Sequence, residues 1–225
     1  MEKQKGRDLK VSGIANASGG AYDKAKIEGI GKVHGDLDCN DLKMDGKCTI
    51  KGNVKAGVAD IDGMATIAGS MSADKLTIDG YASIGGGFSG EELEVEGYLS
   101  VAENCQAETC VINGGVTISG LLNAGTIQLK LYGNSRVKEI GGEAIQVKKG
   151  SKRFSPLPTF PFVSFTSKLT VDTIEGDEIY LEATQARIVR GNHVTIGPGC
   201  EIERVEYREE FQQDKGARVG SHEKM

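Results

Sequence analysis

Residues 61–80 read IDGMATIAGSMSADKLTIDG, and this order of residue types returns every 17 residues along much of the chain. An apolar residue, an acidic or polar residue and a glycine recur at residues 27–29, 44–46, 61–63, 78–80, 95–97 and 112–114. A second glycine follows six residues later in five of these six repeats, and Glu103 replaces it in the other. Self-similarity at a fixed period of this length indicates a solenoid.

Between the glycines, apolar residues fall into columns whose members are 17 residues apart. Apolar positions two apart in sequence share one face of a strand. Each repeat therefore predicts three short strands with inward side chains, stacked about 4.8 Å from the next repeat as one rung of a parallel β-helix. The columns are Val33, Ile50, Ile67, Ile84, Val101 and Ile118; Leu37, Val54, Met71, Phe88, Cys105 and Leu122; Cys39, Ala56, Ala73, Gly90, Ala107 and Ala124; and Leu42, Ala59, Leu76, Leu93, Cys110 and Ile127.

The pattern divides the chain into five parts. Residues 1–8 are predicted to be an N-terminal tail, and residues 9–147 a β-helix of about eight rungs. Residues 148–168 are rich in proline, phenylalanine and basic residues and interrupt the pattern as a linker or strap. Corner motifs at residues 174–176 and 189–191 predict a second, shorter solenoid block over residues 169–211. Residues 212–225 are predicted to be a polar C-terminal tail.

Composition narrows the function classes. The chain has 32 glycines in 225 residues, no tryptophan and a net charge of -5. This glycine content is about twice the average and is not typical of helical enzymes. The acidic balance provides no basic footprint for nucleic acid. Since no apolar run of signal-peptide or membrane-span length occurs, the sequence predicts a cytoplasmic protein, with membrane association as an alternative.

The five cysteines, Cys39, Cys48, Cys105, Cys110 and Cys200, include no Cys-x-x-Cys pair. An odd number without such spacing favours neither a zinc site nor a disulfide framework. We therefore expect reduced, mostly buried thiols and neither a metal nor a cofactor.

The repeat and its Ile-Asp-Gly corner resemble the bactofilins, the bacterial polymer-forming cytoskeletal proteins, over residues 9–147. Residues 175–182, 194–202 and 205–207 are similar to the longer, Gram-positive-type members. The resemblance implies an all-β, right-handed parallel β-helix that assembles end to end into nonpolar filaments without nucleotide. It also implies a non-enzymatic scaffold for cell-envelope, shape or motility machinery. Its implied partners are further copies of the chain, a paralogous bactofilin, and a peripheral membrane or envelope-protein contact.

Physical chemistry independently favours assembly at the ends. The last rung of a β-helix exposes backbone N–H and C=O groups along the axis unless a helix or loop covers them. The sequence contains no capping helix, so the first rung, residues 9–19, is the predicted edge, with Val11 and Ile14 on its inward face. Phe154, Phe160 and Phe162 are further candidates, either in a strap over a solenoid end or in a basic, aromatic patch for a membrane or partner.

Enzymatic alternatives rest on three features. His193 precedes a stretch that looks like the hexapeptide repeat of left-handed β-helix acyltransferases, which act as trimers with a histidine base, although here an outward strand position is expected. The acidic column at residues 45, 62, 79 and 96 suggests glycosidase chemistry, but turn capping is the preferred interpretation. Glycine-rich residues 29–35 and 85–90 suggest phosphate loops, yet both fall in the corner register.

Overall fold

This computed structural model describes residues 7–150 and 167–225. Eleven parallel strands form one sheet in chain order, and the sheet coils into a solenoid of about 12 turns with about 17 residues per turn. The predicted all-β solenoid is confirmed. The strands are β1 (Leu9–Ala21), β2 (Lys24–Ile50), β3 (Val54–Ile67), β4 (Met71–Ile84), β5 (Phe88–Val101), β6 (Cys105–Leu131), β7 (Ser135–Lys149), β8 (Leu169–Leu181), β9 (Thr184–Ile196), β10 (Glu201–Gln213) and β11 (Arg218–Lys224).

The strand register places equivalent residues of successive repeats side by side. Ile61 pairs with Ile78, and Ile67 pairs with Ile84, each one turn further along. Side chains then alternate between the interior and the surface, because successive residues of a strand point to opposite faces. The predicted column from Val33 to Ile118 is buried throughout, with exposed fractions of 0–1%. The core is therefore a set of aliphatic stacks along the solenoid axis.

The Ile-Asp-Gly motifs form one corner of the solenoid. The six glycines of this corner, from Gly29 to Gly114, have positive φ values between 96° and 159°. Neighbouring rungs also approach closely here, since a Cβ atom added to Gly63 would lie 2.5 Å from the carbonyl oxygen of Gly46. Glycine alone meets both demands, because other L residues are strained at positive φ and carry a Cβ atom.

The second solenoid block continues the first one. Strand β8 pairs directly with β7, with Ser135 opposite Leu169 and Val147 opposite Leu181. The separate block predicted for residues 169–211 is therefore wrong, and these residues extend the same sheet. Residues 151–166, which hold most of the predicted linker, lie outside the described residues, and the chain on either side of them belongs to consecutive turns of one solenoid.

The predicted C-terminal tail is also corrected. Strand β10 extends to Gln213, and β11 pairs with it, with Ile202 opposite Val219. Only Ala217 is buried in this last rung, and Val219 packs against the core half-buried. Because the other residues of β11 are polar and exposed, the apolar alternation is too short to indicate a strand from sequence.

Candidate assembly surfaces

The N-terminal end of the described solenoid is an edge strand with apolar inward residues. Within residues 7–150 and 167–225, β1 pairs with β2 and no strand lies along its outer edge. Val11 is buried, whereas Leu9, Ala15 and Ala17 pack against the core but stay partly exposed. This edge therefore combines backbone hydrogen-bonding groups with apolar side chains that further burial would stabilise.

Ile14 does not belong to this inward set, and its predicted orientation is wrong. Its side chain is 86% exposed and lies on the outer surface of β1 beside Ile30. The reason is Gly13, which has a φ of 74° and forms the corner of the first rung. The alternation restarts after this corner, so Val11 before it and Ala15 after it point inward. Val11 remains the candidate residue for the end face.

The aromatic candidates fall outside the part of the chain that the structure describes. Phe154, Phe160 and Phe162 lie in residues 151–166. The described chain on both sides follows the solenoid, since Gly150 donates a hydrogen bond from its N–H to the carbonyl of Leu131. Their predicted role as a strap or contact patch stays a prediction.

The C-terminal end carries an aromatic cluster that the sequence analysis missed. The ring of Phe211 lies 5.5 Å from that of Tyr207 and 4.9 Å from that of His222, between ring centroids. Beside it, Arg204 bridges Glu206 and Glu223 at 2.9 Å each. The two ends therefore differ in chemistry, because the first is aliphatic and the second is aromatic and charged.

A polar ladder caps the turns at a second corner of the solenoid. The carboxylate of Asp36 accepts a hydrogen bond from the N–H of Asn53 at 2.7 Å, and the Asn53 side chain accepts one from Ser70 N–H at 2.9 Å. Ser70 Oγ accepts from Gly87 N–H at 3.2 Å, and Asn104 accepts from Leu121 N–H at 2.9 Å. Each bond joins consecutive rungs and satisfies a turn N–H.

The acidic column at the glycine corner is not this cap, which corrects the preferred interpretation. Its carboxylates point outward between charged neighbours, and Glu96 accepts a hydrogen bond from the side chain of Asn113 at 2.7 Å. The charge of Asp60 is the largest cause that raises the pKa of Asp62, and Lys43 opposes it. The column is therefore a surface of mutually repelling carboxylates.

His193 lies on the outer surface of β9, as expected from its strand position. Its Nε2 atom is 3.1 Å from a carboxylate oxygen of Glu209. Its Nδ1 atom is 2.7 Å from Glu178, without hydrogen-bond geometry. Both ring nitrogens thus face carboxylates of the same chain, and a shallow groove lined by Tyr180 and Gln146 adjoins the ring.

The other chemistry-bearing groups are distributed through the coil. Gly29 occupies a corner in which strand follows strand, so the predicted corner reading of the glycine-rich loops is confirmed. All five cysteines are free and buried, and burial raises the pKa of Cys39 and Cys105 to about 12 each. Among residues 7–150 and 167–225, no three His, Cys, Asp or Glu side chains are grouped to hold a metal ion. That same part of the chain contains no helix of the length and apolar character needed to cross a bilayer.

Two curated proteins of Bacillus subtilis strain 168 are similar to part of the chain. YhbF, described as uncharacterized, is 42% identical over 107 residues, which is 47% of this chain and 42% of YhbF. YhbE, described in the same way, is 43% identical over 111 residues, or 48% of this chain and 44% of YhbE. The chain thus spans less than half the length of either relative. No protein-family model matches the chain. No solved structure matches it either.

Proposed function

We propose that this chain is a bactofilin-like structural protein whose activity is end-to-end self-association into nucleotide-independent filaments. The observation that carries the proposal is the outer edge of β1, which lacks a strand partner within the described residues and bears Leu9, Ala15 and Ala17 half-buried. A second copy at this edge would complete the backbone hydrogen bonds and bury these side chains.

The solenoid supports such a joint because its end presents the same cross-section as its interior. Each interior rung stacks its aliphatic columns on those of the next rung, as Ile61 does on Ile78. A copy added at β1 would continue these columns across the joint. The association therefore needs no energy source beyond apolar burial and hydrogen bonding.

Twofold symmetry makes the resulting polymer nonpolar. When two β1 edges meet about a twofold axis, the two strands run antiparallel, and their backbone groups pair in the antiparallel pattern. The aromatic end at Tyr207, Phe211 and His222 would then meet an identical end of the next copy. Alternating aliphatic and aromatic joints give a filament without overall direction.

The proposed setting is cytoplasmic, as a scaffold for envelope, shape or motility machinery. Further copies of the chain are its principal partners, and a paralogue or a membrane-associated protein would attach along the filament. The proposal includes no catalytic step, because the half-exposed edge needs only a matching edge.

A pair of variants of β1 tests the joint. Val11→Lys places a charge on the inward face of the end rung, where a buried unpaired charge costs several kcal/mol. Ser12→Lys adds the same charge one residue away on the exposed outer face. We expect the first to retain the β signal in circular dichroism and lose fast-sedimenting polymer, and the second to polymerise normally. Filaments of Val11→Lys equal to wild type would refute the β1 joint.

A further inference from the structure

The outer surface of four successive rungs contains a patch without any charged side chain. Strand pairing aligns its members in two adjacent columns, one led by Met64 and the other by Thr66. We call this surface the neutral face. Its residues are Met64, Tyr81, Tyr98 and Gly115 in the first column and Thr66, Ser83, Ser100 and Thr117 in the second.

The absence of charge is confined to these rungs. Charged residues make up 26% of the chain, and outward strand positions are where they normally lie. Lys47 pairs with Met64 at one end of the neutral face, and Arg136 pairs with Thr117 at the other. The acidic column runs along one side, with Asp62 immediately before the corner. A neutral area framed by charges is the arrangement that a buried contact patch requires.

Two tyrosines make the neutral face flat and rigid. The rings of Tyr81 and Tyr98 stack with centroids 5.6 Å apart and planes 3° apart. The Tyr98 hydroxyl is hydrogen-bonded to Thr117 Oγ1 at 2.6 Å. The ring lies over Gly115, where an added Cβ atom would come within 2.9 Å of it. The aromatic groups are thus ordered before any partner binds, which lowers the entropy cost of a contact.

We propose that the neutral face is a lateral contact between two copies of this chain, packed sheet against sheet. This inference rests on the proposed filament and adds the side-by-side association of filaments. An anionic partner finds no cation within the face, whereas an identical face meets no like charge despite the net charge of -5. Two such faces also share the rung spacing of about 4.8 Å, so their side chains interdigitate in register.

The area of the face explains why the contact belongs to filaments. Four rungs of about 4.8 Å by a strand of four residues give roughly 250 Å² per copy, or about 500 Å² in total. Stable pairs bury about 1,200–2,000 Å², so two monomers associate only weakly through this face. Filaments present the face many times, and linked weak contacts reinforce one another.

Matched lysine variants test the lateral contact. Ser83→Lys with Ser100→Lys puts two charges on adjacent rungs of the neutral face. Ser72→Lys with Ser89→Lys puts the same two charges on the same two strands, on another face of the solenoid. We expect negative-stain images of wild type and the second variant to show paired or bundled filaments, and those of the first variant to show single filaments of normal length. Single wild-type filaments, or bundles of the first variant, would overturn the proposal.

A fluorescent label separates this proposal from the filament itself. The native cysteines are buried, so pyrene maleimide would label Ser83→Cys selectively, with Ser89→Cys as the control. Stacked pyrenes emit as excimers, and we expect excimer emission from Ser83→Cys alone, rising with protein concentration. Excimers without filaments would retain the lateral contact and reject the end-to-end joint. Absence of excimers from abundant filaments, or failure of Ser83→Cys to react in dilute protein because another part of the chain covers it, would overturn the lateral contact.

Discussion

The side-chain oxygen of Asn53 accepts a hydrogen bond from the backbone N–H of Ser70, exactly one repeat further along, at 2.9 Å. The same side chain donates from Nδ2 to Asp36 at 3.3 Å, so one amide joins three consecutive rungs. Since all of these groups are exposed, water competes for them. The ladder therefore sets the register of the turns more than it stabilises the fold.

Replacing Asn53 measures this contribution. We expect Asn53→Ala to lower the free energy of unfolding by about 0.5–1.5 kcal/mol, because it removes hydrogen bonds whose backbone partners are then solvated. Lys55→Ala, on the exposed surface of the next strand, is the control and changes stability by less than about 0.5 kcal/mol. Urea denaturation of both variants provides the comparison, and a loss above about 3 kcal/mol for Asn53→Ala would show that the ladder is a principal stabilising element.

Three glycine-to-alanine substitutions separate backbone strain from steric crowding. Gly63 has a φ of 112° and close contact with Gly46, Gly35 has a φ of 96° and open space, and Gly133 has open space without positive φ. Strain at positive φ costs about 1–3 kcal/mol. We expect thermal unfolding to rank the losses as Gly63→Ala, then Gly35→Ala, then Gly133→Ala near zero. Equal losses at all three positions would contradict the corner assignment.

Adjacent residues of β3 test the alternation between core and surface. Ile67 is 1% exposed, and Thr66 beside it is on the surface. Ile67→Asp would place an uncompensated carboxylate among aliphatic side chains, so we expect a loss of several kcal/mol and possible only partial folding. Thr66→Asp should leave the melting temperature within a few degrees of wild type. Similar melting temperatures for the two variants would reject the register.

The acidic column predicts a pH-dependent gain from neutralising Asp62. Its pKa is raised in the folded chain, chiefly by Asp60, so the ionised carboxylate opposes folding. The folded state binds this proton more tightly than the unfolded state, and stability from this group therefore falls as pH rises through the raised pKa. We expect Asp62→Asn to raise the melting temperature at pH 7 and to lose that advantage under acidic conditions. High salt at pH 7 should also reduce the gain, and a gain independent of pH and salt would exclude charge repulsion as its cause.

Thiol reactivity tests the burial of the cysteines. Burial raises the pKa of Cys48 and Cys200 to about 11 each, and thiolate is the reactive form. We expect a thiol reagent at pH 8 to modify none of the five cysteines rapidly in the native chain and all five after denaturation. Rapid modification of even one native thiol would place it at the surface or in a locally opening rung.

The sequence was most informative where one residue type fills a column. The Ile, Val and Leu columns and the corner glycines were predicted correctly because every rung imposes the same demand on those positions. The polar ladder escaped notice because Asp36, Asn53, Ser70 and Asn104 differ in type while sharing the capacity to accept a hydrogen bond.

The errors arose where the period changes. A glycine corner resets the alternation, and this moved Ile14 from its predicted inward position to the surface. From β8 to β9 the register is 15 residues instead of 17, with Leu169 opposite Thr184, which obscured the continuity of the sheet. The charge-free run from Met64 to Thr117 was visible in the sequence, but only the strand register gathers it into one face.

Negative-stain electron microscopy of the purified chain without nucleotide tests the central claim most directly. A solenoid of about 12 turns is about 55 Å long, so joints about twofold axes predict unbranched filaments with an axial repeat near 110 Å. Discrete particles or trimers at concentrations of tens of micromolar would contradict end-to-end assembly, and a polar filament that repeats every 55 Å would contradict the twofold joint.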